Sequence, residues 1–242
     1  MKLMNDYQKI QTLFKRDANN IIIPTQYTLE EFKYLENCLW ECTEKIDGTN
    51  IHIDINQNAD INYCGRTSNA QIPAHLMSKL RELFPASAVL PVFDKQITEA
   101  QEKGVELNIS VYGEGYGAKI QKGGNYIKND TGFILFDVRI NNWWLNRAAC
   151  EEIAKALSIP IVPLISYMTI PQAIEYVKKG FKSTIAENKD YDAEGLVLKT
   201  PNGILLRNGE RIITKIKTCD FQKFVAKYGE NYTGEQPVNP HY

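Results

Sequence analysis

The stretch Thr43-Glu44-Lys45-Ile46-Asp47-Gly48-Thr49-Asn50 (T-E-K-I-D-G-T-N) places an Asp-Gly pair just after a lysine. The residues from Asn50 to Asn56 (N-I-H-I-D-I-N) then alternate between apolar and polar, as in a strand with one buried face. Glycine lets the backbone turn sharply and approach a ligand closely. The stretch therefore predicts a strand that leads into Lys45, a tight turn at residues 47–48 and a second strand beyond the turn.

The rest of the sequence divides into strand-like and helix-like segments, without a linker, a repeat or a low-complexity tract. Thr28 and Glu31 form a capping-box pattern that predicts a helix over residues 28–36. The other predicted helices cover residues 74–84, 92–103, 147–158, 171–180 and 220–228. Further predicted strands cover residues 61–67, 105–112, 133–140, 195–200, 204–206 and 211–217, with an Asn-Gly turn at 208–209. Antiparallel hairpins with helices placed between them predict an α+β fold.

Composition limits the classes of protein to which this chain can belong. With 242 residues, 43% of them hydrophobic and 24% charged, the chain is predicted to form one large globular domain over residues 1–242. The net charge of −1 provides no global basic field, so a nucleic-acid partner needs a local basic surface. No apolar run is long enough to span a bilayer. The five cysteines form no C-x-x-C pair, which predicts reduced thiols and a cytoplasmic location, including that of a bacterial or phage-infected cell.

Charged and aromatic residues follow the K-I-D-G turn in a fixed order. They are Arg66, Gly113-Glu114, Phe136-Asp137, the string E-G-L-V-L-K at residues 194–199, and Lys215-Ile216-Lys217. This ordered set resembles the covalent nucleotidyltransferase superfamily, which contains the ATP-dependent DNA ligases, the RNA ligases and the mRNA capping enzymes. The resemblance implies a nucleotidyltransferase (adenylation-domain) fold, in which two twisted antiparallel β-sheets flanked by helices have a nucleotide cleft between them.

The resemblance implies catalytic roles for three lysines. Lys45 matches the nucleophile that attacks the α-phosphate of ATP and becomes lysyl-AMP. A lysine amine attacks only in its neutral form, which neighbouring cations favour. Lys215 and Lys217 are alternate residues of one predicted strand and so share a strand face. Their mutual repulsion is relieved by an anion, for which a nucleotide phosphate is suited.

Other motif residues are implied to bind the nucleotide. This set consists of Thr43, Glu44, Ile46, Asp47, Asn50, Arg66, Glu114, Phe136, Glu194 and Lys199. Within the set, Phe136 is implied to stack on the purine and Lys199 to contact the α-phosphate. Thr43 and Glu44, which directly precede the nucleophile, are implied to line the adenine pocket.

The metal and the nucleic acid are assigned to two further groups of residues. Mg²⁺ prefers oxygen ligands and keeps several of its waters, so a site with carboxylates in the outer shell suits Mg²⁺ or Mn²⁺. The predicted outer-shell carboxylates are Asp47, Glu114 and Glu194. The residues predicted to contact the strand that carries the 5′-phosphate are Arg66, Gln121 and Lys122. His52 is interpreted as a surface or packing residue of its strand.

The string K-I-D-G-T-N separates the subclasses of the superfamily. DNA ligases and capping enzymes usually carry an arginine where this chain has Asn50. The string, the G-R-T at residues 65–67 and the G-E-G-Y-G-A-K-I-Q-K loop at 113–122 resemble the RNA ligases of the phage RNA ligase 2 type. Those enzymes usually have histidine at the position of Asp47, where this chain is DNA-ligase-like. An ATP-dependent RNA ligase is predicted; the alternatives are a minimal ATP-dependent DNA ligase and a non-catalytic nucleic-acid-binding relative.

The resemblance extends from Thr43 to Lys217, and only residues 218–242 follow it. That segment is too short for the C-terminal OB domain of DNA ligases and capping enzymes, or for the helical domain of larger RNA ligases. The sequence therefore predicts a catalytic domain alone. Its expected partners are RNA ends or a nicked duplex, with a partner subunit as one source of the missing domain.

Overall fold

The structure is a computed structural model that describes residues 6–67, 70–121, 125–230 and 232. These residues form two compact units that each draw on distant parts of the chain. The first unit is drawn from residues 1–8, 47–162 and 185–188, and the second from residues 9–46, 163–184 and 189–242. The α+β fold class is confirmed, because both units combine sheets with helices.

Twelve strands and six helices are defined within the described residues. The strands are β1 (Gln11–Thr12), β2 (Phe14–Arg16), β3 (Ile22–Tyr27), β4 (Trp40–Glu44), β5 (Thr49–Asn56), β6 (Ile61–Gly65), β7 (Asn108–Gly117), β8 (Thr131–Ile140), β9 (Trp143–Trp144), β10 (Leu164–Met168), β11 (Gly195–Lys199) and β12 (Ile213–Lys217). The helices are α1 (Glu30–Tyr34), α2 (Ala74–Leu83), α3 (Ala86–Lys103), α4 (Arg147–Ala156), α5 (Ile170–Lys179) and α6 (Thr218–Tyr228).

The first unit is built on a five-stranded antiparallel sheet in the order β6-β5-β7-β8-β9. Ile51, Ile53 and Ile55 of β5 are at most 1% exposed and pack in one hydrophobic cluster with residues of α2, α3 and α4. Side chains at the alternate positions, such as His52 and Asp54, lie on the opposite face of the sheet. The period-two pattern of residues 50–56 is thus confirmed as a strand with one apolar face.

The second unit contains a five-stranded sheet in the order β1-β12-β11-β4-β10 and a separate β2–β3 pair. All neighbours in the larger sheet are antiparallel except β1 and β12. Trp40 and Cys42 of β4 and Leu196 and Leu198 of β11 are 0% exposed and pack in a cluster with residues of α5 and α6. The opposite face of these strands carries Lys45 and the other motif lysines.

The capping-box prediction at Thr28 is wrong. Helix α1 begins at Glu30 after Leu29, whose side chain makes no capping hydrogen bond. The Thr28 backbone N–H and hydroxyl donate to the Leu13 carbonyl at 2.9 and 3.2 Å, and the hydroxyl also donates to the Thr12 carbonyl. Tertiary pairing with the segment between β1 and β2 therefore takes the hydroxyl that the local pattern assigned to the helix.

Other element boundaries also differ from the predictions, including those of α3 and of β7, which was predicted over residues 105–112. Helix α3 begins at Ala86 rather than residue 92, because the helix continues through Pro91 and its buried face includes Val89. The predicted strand at residues 204–206 is wrong: Leu205 forms only an isolated bridge to Arg211. Ile204 and Leu205 are 46% and 53% exposed, so no buried face stabilises a strand there. The predicted turn at 208–209 is present, with Gly209 at a φ of 82° and its N–H donating to the Leu206 carbonyl.

Candidate active site

Lys45 and Lys217 share the carboxylate of Glu194 in the second unit. Lys45 Nζ lies 2.6 Å from one carboxylate oxygen, and Lys217 Nζ lies 2.6 Å from the other. The side chains of Lys45, Glu194 and Lys217 are 19%, 16% and 30% exposed, so the cluster is partly shielded from water. Partial shielding strengthens an ion pair relative to a solvated surface pair. The cluster holds two ammonium groups around one carboxylate, which leaves an excess of positive charge.

The sheet register explains how the cluster assembles. The Lys45 backbone N–H donates to the Gly195 carbonyl at 2.9 Å, directly after the β4–β11 ladder. Gly195 is paired with Lys217 in the β11–β12 ladder. Glu194 precedes Gly195, and its carbonyl accepts from the Thr218 N–H at 3.0 Å. Three adjacent strands therefore bring the nucleophile candidate and its two ionic neighbours together.

The remaining motif lysines lie on the same face of this sheet as Lys45. Thr43 is paired with Val197, which is paired with Lys215 on the other side. Lys199 is two residues further along β11 than Val197, and alternation therefore puts it on this face. Ile46, the residue after Lys45, is 4% exposed, and its carbonyl is 3.4 Å from Lys45 Nζ.

The protonation of Lys217 is coupled to Glu194. Burial by itself lowers the pKa of the Lys217 ammonium, but the hydrogen bond to Glu194 and the negative charge of that residue outweigh burial. The net pKa of Lys217 is raised, so the side chain is a permanent cation at neutral pH. A permanent cation is suited to binding a phosphate oxygen.

Glu44 has a different environment from its neighbour Lys45. It is 1% exposed and lies on the core face of β4, opposite to Lys45. Its carboxylate accepts from the Ser183 hydroxyl at 2.5 Å, the Thr184 hydroxyl at 2.7 Å and the Thr184 N–H at 3.0 Å. The carboxylate thus fixes residues 183–184 to the strand that ends at the nucleophile candidate. Its implied contact with adenine stays a prediction.

Replacing Ser183 with alanine is expected to lower the free energy of unfolding by about 2 kcal/mol, because a buried carboxylate oxygen of Glu44 loses a hydrogen-bond donor. Urea unfolding followed by fluorescence measures the change. Ser166→Ala on β10 is the matched control, since Ser166 is exposed and bonds only to the adjacent Tyr167 carbonyl. Equal midpoints for the two variants would contradict a supporting role for Ser183.

Residue 195 is a glycine because strand β12 approaches its backbone too closely for a side chain. Its φ is 150°, and an added Cβ would lie 2.0 Å from the Ile216 carbonyl oxygen. A glycine directly after Glu194 is therefore sterically required for the β11–β12 pairing that places Glu194 beside Lys45. Gly195→Ala is expected to destabilise the protein by about 3 kcal/mol, because the β11–β12 pairing must shift.

The control for this substitution is Gly203→Ala. Gly203 also has a positive φ, of 62°, but has nothing within 4 Å of an added Cβ. The conformational strain alone is expected to cost about 1 kcal/mol there. Chemical denaturation of both variants separates the clash from the strain. A Gly195→Ala variant as stable as Gly203→Ala would refute the steric explanation.

The first unit holds the rest of the turn that follows Lys45. The Asp47 backbone N–H donates to the Tyr126 hydroxyl at 3.3 Å. An added Cβ on Gly48 would lie 2.3 Å from the Gly115 carbonyl oxygen and 2.8 Å from Glu114 Cγ. Asn50 is paired with Glu114 across β5 and β7. The glycine therefore allows the turn to pack against the strand that carries Glu114.

The side-chain oxygen Oδ1 of Asn50 is buried and has no hydrogen-bond partner among the residues that the structure describes. An unsatisfied buried acceptor is costly, and such groups are found at functional sites. A hydroxyl or amine of a ligand would satisfy it. The implied nucleotide-binding role of Asn50 fits this observation.

Phe136 is the extra residue of a β-bulge in β8. Tyr112 pairs with Asp137 and the next residue, Gly113, pairs with Leu135, so Phe136 has no opposite residue in β7. Its ring is half-buried and lies 5.0 Å from the ring of Tyr7, edge to face. Bulges redirect side chains and are common beside active sites. The bulge distinguishes Phe136 from the buried neighbours Phe133 and Leu135.

The predicted nucleic-acid contacts are the least defined group. Arg66 is exposed and follows Gly65, the last residue of β6. Gln121 is exposed and has a φ of 49°, in the left-handed region. Lys122 lies outside the described residues.

Ser183 and Thr184 were not predicted from the sequence, because only the folded chain brings them to Glu44.

The protein matches a known family over most of its length. Residues 39–217 match the family model described as RNA ligase. The chain therefore belongs to the RNA ligase family. The matched range begins just before β4 and ends at Lys217, so it contains all the motif residues described above.

Solved structures of the RNA ligase of Naegleria gruberi are similar to this chain. A mutant with ATP and Mn is 18% identical, with a TM-score of 0.57 over 92% of this chain and 60% of that chain. The enzyme with PPi is 17% identical, with a TM-score of 0.57 over 95% of this chain and 61% of that chain. The likeness shows a shared fold, and this chain spans about 60% of the length of these relatives.

In the described part of this chain, no helix is both long and apolar enough to cross a membrane.

Proposed function

We propose that this chain is the catalytic core of an ATP-dependent RNA ligase. The observation that carries the proposal is the contact of Lys45 and Lys217 with opposite oxygens of Glu194, inside the range that matches the RNA ligase family. A lysine beside a permanent cation and a carboxylate suits attack on a phosphate, since transfer of this kind depends on positioning and charge stabilisation.

The proposed reaction has three steps. The neutral amine of Lys45 attacks the α-phosphorus of ATP, forming a phosphorus–nitrogen bond and releasing pyrophosphate, while its proton passes to solvent. The AMP of this lysyl-AMP is then transferred to the 5′-phosphate of an RNA strand, which regenerates the amine. A 3′-hydroxyl finally attacks the activated 5′-phosphate, forming the phosphodiester and releasing AMP.

The second unit supplies the charges for these steps in the proposal. Lys199, Lys215 and Lys217 lie on the sheet face that carries Lys45 and are assigned to the phosphates. Thr43, Glu44 and Ile46 are assigned to the nucleotide pocket. The carboxylate of Glu194 is suited to orient the water shell of a divalent cation, because a second-shell acceptor need not give up its hydrogen bonds to lysine. Bound Mg²⁺ or Mn²⁺ would neutralise the phosphates.

The first unit contributes the other proposed contacts. Asp47 and Glu114 are assigned to the metal's water shell, Asn50 to the nucleotide and Phe136 to purine stacking. The unsatisfied Oδ1 of Asn50 supports its assignment. Arg66, Gln121 and Lys122 are assigned to the strand that carries the 5′-phosphate. Arg66 and Lys122 are the basic members of this group, and a chain with a net charge of −1 needs local positive charge for binding RNA.

Incubation with α-³²P-labelled ATP or GTP and Mg²⁺, followed by a denaturing gel, tests the proposal. Bound AMP is first removed from the protein with pyrophosphate. A covalent band with ATP alone is expected. A band with GTP would instead favour capping chemistry, and no band with either nucleotide would favour a non-catalytic nucleic-acid-binding protein.

Nicked duplexes with RNA or DNA on each side of the nick test the substrate. Sealing is expected when the 3′-hydroxyl strand is RNA. Equal sealing of an all-DNA nick would favour a minimal DNA ligase. Sealing that requires added cell extract would support a partner subunit. The five free thiols fit the proposed cytoplasmic location of this chain.

A further inference from the structure

Three metal-ligating side chains lie together on the polar face of the sheet in the first unit. His52 and Asp54 are alternate residues of β5, and Cys64 on β6 is directly opposite His52. One ligand atom from each residue lies within 4.8 Å of the ligand atoms of the other two. None of these three residues has a role in the function proposed above.

The hydrogen bonds of this cluster already orient its members. His52 Nδ1 lies 3.0 Å from Asp54 Oδ1. Ser110, opposite Asp54 on β7, donates its hydroxyl to the same oxygen at 2.7 Å. The Ser110 hydrogen bond comes from outside the three ligands, and such outer hydrogen bonds fix the orientation of a ligating side chain in metal sites.

Two of the three side chains are largely shielded from water, and Cys64 is half-buried. The His52 and Asp54 side chains are 4% and 15% exposed. The ring of Tyr112, opposite His52 on β7, lies 5.5 Å from the imidazole ring. Because all three ligating residues stand on paired strands, little conformational entropy remains to be lost when an ion binds.

We propose that His52, Asp54 and Cys64 form a Zn²⁺ site. Nitrogen, thiolate sulfur and carboxylate oxygen together are ligands that Zn²⁺ accepts, whereas Mg²⁺ is bound through oxygen. On binding, the Cys64 thiol loses its proton to solvent, and the proton on His52 Nδ1 moves to Nε2. The thiolate and the carboxylate then balance the charge of the ion. Water completes the tetrahedron.

The geometry requires only a small adjustment of the side chains. With bond lengths of about 2.3 Å to sulfur and about 2.1 Å to nitrogen and oxygen, tetrahedral ligand atoms are about 3.3 to 3.7 Å apart. The distance of 3.0 Å between His52 Nδ1 and Asp54 Oδ1 is slightly shorter than this range. All the ligand atoms lie within 4.8 Å of one another, which is longer than this range. The proposal therefore requires the Cys64 sulfur to move toward an ion held by the other two residues.

The position of the site indicates what the ion does. His52 and Cys64 are each two residues from a residue assigned to the substrates, Asn50 and Arg66 respectively. A bound ion links β5 to β6 at that end of the hairpin, and thereby limits the movement of Arg66. This positioning role rests on the proposed function, whereas binding of the ion does not.

Titration of untagged, EDTA-treated protein with Co²⁺, followed by competition with Zn²⁺, tests the site. One equivalent of Co²⁺ per chain is expected, with a thiolate-to-cobalt charge-transfer band and the intense visible bands of a tetrahedral complex. Cys64→Ser and His52→Gln are expected to remove the charge-transfer band and the tetrahedral spectrum respectively. Ser110→Ala is expected to weaken binding by about tenfold, through loss of the outer hydrogen bond.

Matched controls are Cys219→Ser and His75→Gln, both at exposed positions, which are expected to leave the spectrum unchanged. A spectrum without a charge-transfer band, or one that persists in Cys64→Ser, would overturn the proposal. If Cys64→Ser does not fold, thiol labelling of the wild-type protein decides: Zn²⁺ must protect Cys64 and leave Cys38 and Cys219 reactive. The same preparations are assayed for labelling with ATP, so an inactive protein that still binds one Zn²⁺ separates the two proposals.

Discussion

Replacing Lys45 with alanine is expected to reduce labelling by α-³²P-labelled ATP by about 10³-fold or more, to below detection. The reason is that the substitution removes the amine that is proposed to accept AMP beside Glu194. The fold is expected to remain intact, because Glu194 keeps its contact with Lys217 and an ion pair at this exposure contributes only about 1 kcal/mol. Gel labelling and circular dichroism measure the two effects.

Lys33→Ala is the matched control for this substitution. Lys33 is an exposed residue of α1, and its replacement removes the same charge without touching the sheet. It is expected to be labelled like the wild-type protein. A covalent AMP adduct that persists in Lys45→Ala, identified at another residue by mass spectrometry, would show that the nucleophile has been assigned to the wrong lysine.

Glu194→Gln is expected to lower the rate of labelling by about 10²-fold. The amide has nearly the same shape but lacks the charge that holds Lys45 and Lys217 at 2.6 Å each. Both ammonium groups then repel each other without compensation, and the nucleophile loses its fixed position. The loss is expected mainly in kcat, because the lysines that are assigned to the phosphates remain. Initial rates at several ATP concentrations separate kcat from KM.

Glu175→Gln provides the comparison. Glu175 pairs with Lys178 on α5 at 3.0 Å, but its side chain is 63% exposed. Solvent screening makes such a pair worth only a few tenths of a kcal/mol, so neither stability nor labelling is expected to change. If Glu194→Gln labelled as fast as Glu175→Gln, the shared carboxylate would be a structural contact without a part in the reaction.

The sequence predicted strands correctly where a strand has at least one buried apolar face. Strands β4, β5, β7, β8, β11 and β12 each carry such a face, and motif order was enough to predict the fold class. Strand β10 was missed, because its residues Ser166 and Tyr167 are exposed at an edge of the sheet and show no alternation. The two-residue strands β1 and β9 are defined by their partners rather than by their own residues.

The candidate site was predicted in part for a similar reason. Residues of a motif could be assigned from their order, but contacts between distant segments could not. Ser183 reaches Glu44 across 139 positions, and the bulge that isolates Phe136 depends on the register of β7 against β8. Likewise, Cys64 meets His52 only through hairpin pairing, so the cluster has no recognisable spacing in the sequence.

The ion pair of Lys45 and Glu194 joins residues that are 149 positions apart. During synthesis, Lys45 therefore leaves the ribosome long before Glu194 and Lys217. A nascent chain carries a lysine without the surroundings that would make it reactive, and contacts of such long range form late in folding. Under the proposed role of Lys45, the order of translation is therefore expected to keep an unfinished chain from consuming ATP.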